Sequence, residues 1–351
     1  MQAFDFKKVL YVGHHPLNRG GIASLEKAYS EYCKPYNHIA IYRQGDIFLK
    51  LGSYLRGLFK LLYSLINENQ VKIVHIHTAS NLDFYRNCIP IFISKLLKKK
   101  IVLHIHGGYF YDFCLKHPNV SSWGINKVSR IIVVSDFLLE KLSNLHFIPP
   151  IIRVYNFLDQ PKPSNTIKSI GPKIRLGYLG AICDNKRIFD LASLFAEHPD
   201  LRQWYKFSIA GTGASDKLLD IITNNHLEDS VEYIGWIGGD AKSDFLNAID
   251  IILQPSDYES FGLSLAEAMS YGKIAIATNV GGIPEIITHG ENGYLIEKGD
   301  FQDLYQILLM IKDNRHIIDE MGARAKDSVK KFYGDQVISE LIGLYNNLLI
   351  S

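Results

Sequence analysis

The chain repeats one pattern twice: short apolar runs rich in β-branched residues alternate with longer stretches of helical spacing. Strands separated by helices in this way are typical of βαβ units, in which neighbouring strands run parallel. The predicted strands of the first half are Val9–Val12, Ile39–Tyr42, Ile73–Ile76, Ile101–Ile105, Ile131–Val134 and Ile152–Tyr155. Those of the second half are Ile174–Leu179, Phe207–Ala210, Val231–Ile234, Ile249–Leu253, Ile274–Ala277 and Tyr294–Ile296. The sequence therefore predicts an α/β protein with two parallel sheets.

The two halves are separated by Gln160–Pro172, a segment that holds three prolines together with Ser, Asn and Gly. This composition is typical of a linker, and 351 residues are more than one core usually organises. The predicted domains are therefore residues 1–160 and 161–333. A last helical stretch, residues 334–351, follows the second domain.

The charge of the chain is distributed unevenly. Residues 1–165 carry 21 Lys and Arg against 10 Asp and Glu, a net charge of +11, whereas the remainder carries 17 against 26, a net charge of −9. This asymmetry favours an anionic partner for the first half: a membrane leaflet, a lipid phosphate or nucleic acid. Nucleic acid is the weakest of the three, because the sequence lacks a basic stripe interleaved with aromatics on a known nucleic-acid module.

Targeting and redox signals point to the cytoplasm. The first residues, MQAFDFKKVLYVG, lack the layout of a signal peptide, and no apolar run reaches membrane-spanning length. The cysteines Cys33, Cys88, Cys114 and Cys183 are scattered without metal-ligand spacing, which favours reduced thiols and predicts no metal site. Because the first half is basic, a further hypothesis is that the protein binds peripherally to the inner face of the cell membrane.

The stretch Asp257–Lys273, DYESFGLSLAEAMSYGK, combines two acids with a helix start. Its apolar spacing predicts a helix from about Phe261 to Tyr271, after the strand Ile249–Leu253. Glu259 then precedes the helix and Glu267 lies within it. Free N–H groups and the positive end of the helix dipole at such a terminus stabilise phosphate oxygens. Acids around a helix start are also common without any function.

Polar residues follow two strands of the first half. Gly20 and Gly21 open a helix after the first strand, where paired glycines either hold an anion on backbone N–H groups or form a simple turn. His75 and His77 alternate along the third strand, and His106 ends the fourth before two glycines. A hydrogen-bonded, partly buried pair is one explanation of alternating histidines, and a metal site is less favoured because no carboxylate or cysteine accompanies them.

The segment from Lys50 to Ile66 has helical spacing, with Leu55, Leu58, Phe59, Leu62 and Leu65 among three basic residues. The favoured interpretation is a helix that faces the core and exposes a basic edge. Because lysines also cluster at residues 95–100, a role at a membrane surface is the second hypothesis for this segment.

The string around Asp257–Lys273, with two glutamates in E-x7-E spacing and Phe-Gly after the first, resembles the signature of family 4 of retaining glycosyltransferases. The resemblance spans nearly the whole chain. It implies the GT-B fold, with two Rossmann-like domains whose parallel sheets face a central cleft. The first domain would bind the acceptor, the second the nucleotide-sugar donor, and the last helix would pack back on the first domain.

The resemblance also implies roles for individual residues. Lys186 would stabilise the donor diphosphate, Glu259 would face the sugar ring, Glu267 would bind the ribose, and His106 would be the active-site histidine. The implied catalytic residues are His106, Glu259 and Lys186. The implied donor-binding residues are Gly20, Gly21, Arg187, Gly211, Gly235, Trp236, Ile237, Phe261, Gly262, Leu263 and Glu267. The side chain of Trp236 either stacks on the nucleobase or packs, and packing is favoured.

Two matches to the family pattern are incomplete. Ala181 stands where the family has an arginine beside the glycine of the loop, so the diphosphate charge would fall on Lys186, Arg187 and backbone donors. Phe157 replaces the glycine of the strand-end Pro-Asn-Gly, of which only Asn156 remains.

The resulting prediction is an enzyme that moves a sugar from a nucleoside-diphosphate sugar to a glycan or lipid-linked acceptor in cell-surface polysaccharide synthesis, with no cofactor or metal. A sugar-nucleotide epimerase of the same fold is one alternative, which would interconvert the nucleotide sugar without an acceptor. A non-catalytic nucleotide-binding protein is the other.

Overall fold

The computed structural model describes residues 4–162 and 171–350. Within them the chain forms two compact units, one ending at Leu158 and taking up the chain again from Phe332, the other spanning Asp159–Lys331. The sequence-based boundaries were 160/161 and 333/334. Most of the predicted linker Gln160–Pro172 lies outside the described residues.

Each unit contains a six-stranded sheet in which every pairing is parallel. The strands are β1 Val9–His14, β2 Asn37–Tyr42, β3 Ile73–Thr78, β4 Lys100–Ile105, β5 Arg130–Val133, β6 Ile151–Arg153, β7 Ile174–Leu179, β8 Tyr205–Ala210, β9 Val231–Gly235, β10 Ile251–Gln254, β11 Ile274–Thr278 and β12 Gly293–Ile296. Their order is β2-β1-β3-β4-β5-β6 in the first unit and β12-β11-β10-β7-β8-β9 in the second. The predicted pair of parallel sheets is confirmed.

Helices connect the strands, as parallel pairing requires. They are α1 Gly21–Tyr32, α2 Ile47–Asn67, α3 Leu82–Leu96, α4 Phe110–Lys116, α5 Pro118–Ile125, α6 Asp136–Ser143, α7 Ile188–Glu197, α8 Leu201–Trp204, α9 Ser215–Asn224, α10 Asp240–Ala248, α11 Leu263–Ser270, α12 Phe301–Asp313, α13 Ile317–Ser328 and α14 Gly334–Ile350. Short 3-10 helices span Phe6–Lys8, Asp184–Lys186, Ile283–Glu285 and Lys330–Phe332.

The first unit includes the end of the chain. The main chain of Leu158 accepts from Gly334 and donates to Phe332, so the chain leaves and re-enters this unit at one point. Helix α14 then packs its buried face, including Leu341 and Tyr345, into the same core as β1 and α1. Burial of this apolar face, rather than local propensity, holds the last helix.

Helix α2 differs from its favoured interpretation. Only Gly57, Leu61 and Leu65 are buried, a stripe of i, i+4 spacing that lies on β2. A Cβ on Gly57 would lie 2.6 Å from the carbonyl oxygen of Ala40, so close approach to the strand requires glycine there. The prediction of a core-facing helix was wrong for most of its apolar residues, because one narrow stripe is enough to dock the helix. Phe59 on the opposite side is 72% exposed.

Candidate functional site

The second sheet starts at a central strand, and this determines where a ligand can enter. From β7 the chain adds β8 and β9 on one side, and later places β10, β11 and β12 on the other. The loops that follow β7 and β10 therefore leave the sheet in opposite directions from adjacent strands. Open parallel sheets bind ligands beyond the carboxyl ends of their strands at such a switch point.

The loop after β7 brings Lys186 to this point. It continues through the 3-10 helix Asp184–Lys186 to Arg187, whose left-handed backbone (φ 54°) redirects the chain into α7. The ammonium of Lys186 lies 2.5 Å from Oε1 of Glu259, which follows β10. The arginine side chain is engaged nearby, 2.9 Å from Asp190 and 3.8 Å from Asp257.

Glu259 is buried, and its Oε1 atom accepts from three side chains. Besides Lys186, these donors are the amide of Gln254 and the hydroxyl of Ser256, the latter at 2.9 Å. Three donors around one oxygen stabilise the charged carboxylate and fix its direction. Ser264 in turn bonds the amide oxygen of Gln254, at 3.1 Å, so the support extends into α11.

The loop after β11 closes on the main chain of Glu259. A Cβ on Gly281 would lie 1.7 Å from the Glu259 carbonyl oxygen, and the residue has φ +58°. Only glycine fits both constraints. The next N–H, that of Gly282, donates to the same carbonyl at 3.2 Å. The position of Glu259 is thus fixed from both its side chain and its backbone.

Helix α11 begins at Leu263, two residues later than predicted. Gly262, with φ +95°, is its N-cap and provides no side-chain cap, while Phe261 is buried beneath it. This positive φ is not helical, which explains the late start. The N–H groups of the first turn have no helical carbonyl to reach, so they form a donor cluster at the positive end of the helix dipole.

Glu267 is the fifth residue of α11 and pairs with Lys242 of α10 at 2.7 Å. Burial lowers the pKa of Lys242, but the Glu267 carboxylate outweighs this effect and the net pKa is raised. Both side chains keep part of their surface exposed, 21% for the acid and 29% for the lysine. The carboxylate is therefore accessible to a ligand while being held in place by a cation.

Glycines line the neighbouring strand ends. A Cβ on Gly211 after β8 would lie 1.8 Å from the carbonyl oxygen of Gly180, so these two turns pass in backbone contact. Gly235 ends β9 with φ +77° and its carbonyl accepts from the N–H of Gly211. Trp236 follows with its side chain 48% exposed, and Ile237 is half-buried. About half of the Trp236 surface is therefore open to solvent.

In the first unit, the glycine loop joins β1 to α1. Gly20 has φ +124° at the N-cap, and a Cβ on Gly20 or Gly21 would meet nothing within 4 Å. Before this loop, the N–H of His14 donates to buried Glu26, and the His14 ring lies 3.0 Å from Asp83. The loop is thus anchored at its start and open at its glycines.

His106 directly follows the carboxyl end of β4 and belongs to a row of four buried histidines. Its Nε2 lies 2.9 Å from Nδ1 of His77, and His75 Nε2 lies 3.1 Å from His104 Nδ1. Burial lowers the pKa of His106 to about 3, with a smaller opposing contribution from the neighbouring Asn156. This imidazole is therefore neutral at physiological pH.

The same row contains the one grouping of three potential metal-ligand side chains found among residues 4–162 and 171–350: His75, His77 and His104, whose nitrogens lie within 4.8 Å of one another. The rings already use nitrogens to bond one another and the hydroxyl of Tyr345. The predicted alternative of a hydrogen-bonded buried cluster describes what is observed, with four members instead of two.

The structure brings Lys186 and Glu259 into contact, and places Phe261, Gly262, Leu263 and Glu267 on the segment that follows. Sequence reasoning missed Gln254, Ser256 and Lys242. A glutamine ending the wholly buried strand β10 was a usable signal, because a buried amide needs partners. Lys242 carried no such signal, since a lysine on a helix is ordinarily solvated.

No helix within the described ranges is long and apolar enough to cross a bilayer.

Comparisons with known proteins agree with this architecture. Residues 24–160 match the family described as glycosyltransferase family 4, and residues 160–328 match the family described as glycosyl transferases group 1. The protein is a glycosyltransferase with the GT-B fold. It belongs to the family 4 (group 1) glycosyltransferases.

Among curated proteins, the chain is 28% identical to the N-acetyl-α-D-glucosaminyl L-malate synthase of Bacillus anthracis, covering 98% of this chain and 92% of that one. It is 25% identical to the 2-deoxystreptamine N-acetyl-D-glucosaminyltransferase of Niallia circulans, over 86% and 83% of the two chains. Among solved structures, it is similar to HepE of Anabaena in complex with UDP and glucose, with 16% identity, a TM-score of 0.76 and coverage of 97% and 99%.

Proposed function

We propose that the protein transfers a sugar, with retention of configuration, from a nucleoside-diphosphate sugar to a glycan or lipid-linked acceptor in cell-surface polysaccharide synthesis, without a metal ion. The observation that carries this proposal is the Lys186–Glu259 pair at the switch point, next to the free amides of α11. The names of relatives support it: a 2-deoxystreptamine N-acetyl-D-glucosaminyltransferase and a poly(ribitol-phosphate) α-N-acetylglucosaminyltransferase. HepE, similar in fold, has been crystallised with UDP-glucose.

Departure of a nucleoside diphosphate concentrates negative charge on its terminal phosphate, and that charge needs donors fixed in advance. Lys186 supplies a cation, and the first-turn amides at Gly262 and Leu263 supply dipoles. Arg187 would contribute less direct charge, because it faces two carboxylates, Asp190 and Asp257, whereas Lys186 pairs with one, Glu259. With Ala181 in place of the family arginine, Lys186 becomes the main side-chain cation for the diphosphate.

In this assignment Glu259 faces the transferred sugar. Its Oε1 is occupied by three protein donors, so Oε2 is the oxygen left to accept from a sugar hydroxyl. A carboxylate held in this way stabilises positive charge that develops on the sugar ring during cleavage. We assign it this electrostatic and orienting role, and no covalent step.

Glu267 would bind both ribose hydroxyls, since one carboxylate can accept two hydrogen bonds side by side. Lys242 holds that carboxylate in place. The turns at Gly211 and Gly235, with the backbone of Trp236 and Ile237, would line the nucleobase. In the first unit, the resemblance assigns Gly20, Gly21 and the imidazole of His106 to the acceptor side.

The exposed face of α2 supports a membrane-bound acceptor. Phe48, Leu55 and Phe59 project from the helix into solvent, with Lys50 and Lys60 among them. The first unit carries 20 Lys and Arg against 11 Asp and Glu, a net charge of +9. Apolar side chains flanked by cations bind the surface of anionic bilayers. We propose that this unit docks on such a surface.

Mass spectrometry of a panel of UDP-, GDP- and ADP-sugars, incubated with the protein and EDTA, tests the catalytic proposal. We expect slow release of free sugar and nucleoside diphosphate from one donor class, with the chelator having no effect. Conversion of a nucleotide sugar into its epimer without release of the nucleotide would show the alternative activity. Absence of both hydrolysis and binding across the panel would overturn the proposal.

A further inference from the structure

We propose that His77 holds His106 in the tautomer that carries its proton on Nδ1, so that His106 meets its substrate as a hydrogen-bond donor and not as a base. The tautomer follows from the protein alone. Within the protein, one candidate acceptor for that proton is the buried, unpartnered Oδ1 of Asn156, whose side chain lies beside His106. Donation of the proton to a sugar or acceptor oxygen rests on the proposed glycosyl transfer.

The two rings share one proton between two nitrogens. Nδ1 of His77 lies 2.9 Å from Nε2 of His106, and both rings are neutral because burial lowers their pKa values. One nitrogen must therefore donate and the other must accept. The direction of this bond determines which nitrogen of His106 remains free.

The other nitrogen of His77 fixes the direction. Its Nε2 is buried and has no hydrogen-bond partner. Buried N–H groups without a partner are rarer in proteins than buried acceptors without one. The proton of His77 therefore belongs on Nδ1, where it is donated to His106. Because Nε2 of His106 accepts this hydrogen bond, the proton of His106 must lie on its Nδ1.

A second pair in the same row follows the same rule. Nε2 of His104 is also buried and unpartnered, which places the proton of His104 on Nδ1, 3.1 Å from Nε2 of His75. His75 then carries its own proton on Nδ1, where the hydroxyl of Tyr345 accepts it at 2.6 Å. Tyr345 donates onward to the hydroxyl of Tyr11 at 3.3 Å. In the assigned tautomers the ring protons of His104 and His75 and the hydroxyl proton of Tyr345 each have an acceptor.

Histidine tautomers are measured directly by long-range 1H–15N correlation spectra of 15N-histidine-labelled protein, with His106 assigned from the signal lost in H106Q. At pH 7 we expect the Nδ1–H form for His106. In His77→Asn the amide nitrogen replaces Nδ1 as donor and the tautomer should persist. In His77→Phe the donor is removed, and the Nε2–H form of His106 should appear.

His75→Phe is the matched control. It removes an equally buried ring from the same face of β3, but that ring bonds His104 and not His106. It should leave the His106 tautomer unchanged. If His77→Phe does not fold, the spectrum of the unaltered protein still decides, because an Nε2–H form of His106 there contradicts the inference. An unchanged tautomer in folded His77→Phe contradicts it equally.

Activity supplies a separate readout. Loss of one oriented hydrogen bond should lower kcat for donor hydrolysis by about 10-fold in His77→Phe, with KM for the donor changed less, and His77→Asn should restore most of it. A tautomer that shifts without any change in kcat would remove His106 from catalysis while leaving the positioning by His77 intact. Absence of donor hydrolysis in the unaltered protein would count against the proposed function only.

Discussion

Glu259 is the residue whose substitution separates chemistry from binding. Replacing it with glutamine removes the charge that we propose faces the sugar but leaves an amide oxygen for its three donors. We expect Glu259→Gln to lower kcat for donor hydrolysis by about 10²–10³-fold, the cost of removing one fixed electrostatic contact. The donor KM should change less than the turnover. Initial-rate kinetics with the donor identified by mass spectrometry give both constants.

Glu232 provides a control of the same type. It also pairs with a lysine, Lys206 at 3.3 Å, and accepts from a serine, Ser208 at 2.6 Å. Glu232→Gln should retain normal kinetics. Equal kinetics for Glu259→Gln and Glu232→Gln would contradict the assignment of Glu259.

Glu267 should affect binding instead. Glu267→Ala would remove the two charge-assisted hydrogen bonds that we propose to the ribose hydroxyls, and we expect a rise of about 10–100-fold in donor KM with kcat within a few-fold. Lys242→Met keeps the carboxylate and loses only its support, so its KM should rise less. The comparison needs only saturation kinetics of the two variants. A drop in kcat without a change in KM for Glu267→Ala would refute ribose recognition.

The sequence predicted these residues unevenly. Glu259 and Glu267 were singled out because a helix start restricts where phosphate and ribose contacts can lie, and Lys186 because of the family resemblance. Gln254 was missed although it ends an apolar strand, whereas the contacts of Ser256 and Lys242 are visible only once β10, α10 and α11 are packed together. The replacement of a family arginine by Ala181 was visible, but the pairing of Lys186 with Glu259 was not.

At the scale of elements, α2 combines a narrow docking stripe with a broad exposed face. We expect the protein to float with liposomes that contain anionic lipid at low salt, and to remain unbound with neutral liposomes. Phe48→Asp combined with Phe59→Asp should abolish flotation, because both aromatic rings are exposed and neither supports the core. Donor hydrolysis should be unaffected in that variant.

Trp204→Asp is a control for an exposed aromatic in the second unit, 40% exposed. It should float as the unaltered protein does. Failure of the unaltered protein to bind anionic liposomes at low salt would contradict the proposed membrane surface. Apolar residues surround most of α2, so its buried face could not be distinguished from its exposed face by sequence alone.

Strands β3 and β4 bury four histidines, and this makes stability depend on pH. Burial lowers the pKa of His75 and His106 to about 3, and lowers the pKa values of His77 and His104 well below 6.5. Unfolded imidazoles bind protons near pH 6.5, so below that pH the unfolded state holds more protons. The free energy of unfolding should therefore be highest above pH 6.5 and fall as the pH drops.

Glu26 acts in the opposite direction, because burial raises its pKa to about 8 and the folded state keeps its proton longer than the unfolded state does. The acid lowers stability as pH rises from about 4.5 to about 8. Urea denaturation between pH 4.5 and 7, followed by circular dichroism, should show a net slope of roughly four protons, because His38, whose pKa burial lowers to about 4, adds to the four histidines and Glu26 subtracts one. His75→Asn should reduce that slope by about one proton. A pH-independent midpoint would contradict burial of the histidines.

For the whole molecule, the fold was readable from the sequence. Periodicity found every strand of both sheets, because parallel strands are buried on both faces and leave continuous apolar runs. The observed ends of strands and helices differ from the predicted ends by one to three residues where a backbone hydrogen bond or a positive φ changes the local conformation. At Gly262, for example, φ +95° delays α11 to Leu263. Such torsions depend on packing and leave little trace in composition.

The central claim is that the carboxyl end of the second sheet binds a nucleoside diphosphate through Lys186 and the start of α11 without a cation. Isothermal titration calorimetry of UDP, GDP and ADP in the presence of EDTA tests it most directly. The test variant is Lys186→Met. The control is Lys206→Met, which removes an ion-paired lysine from the opposite end of β8. We predict that one nucleotide binds the unaltered protein and Lys206→Met alike, and binds Lys186→Met about 10–100-fold more weakly. Equal affinity of Lys186→Met, or binding of a nucleotide only after a divalent cation is added, would contradict the account.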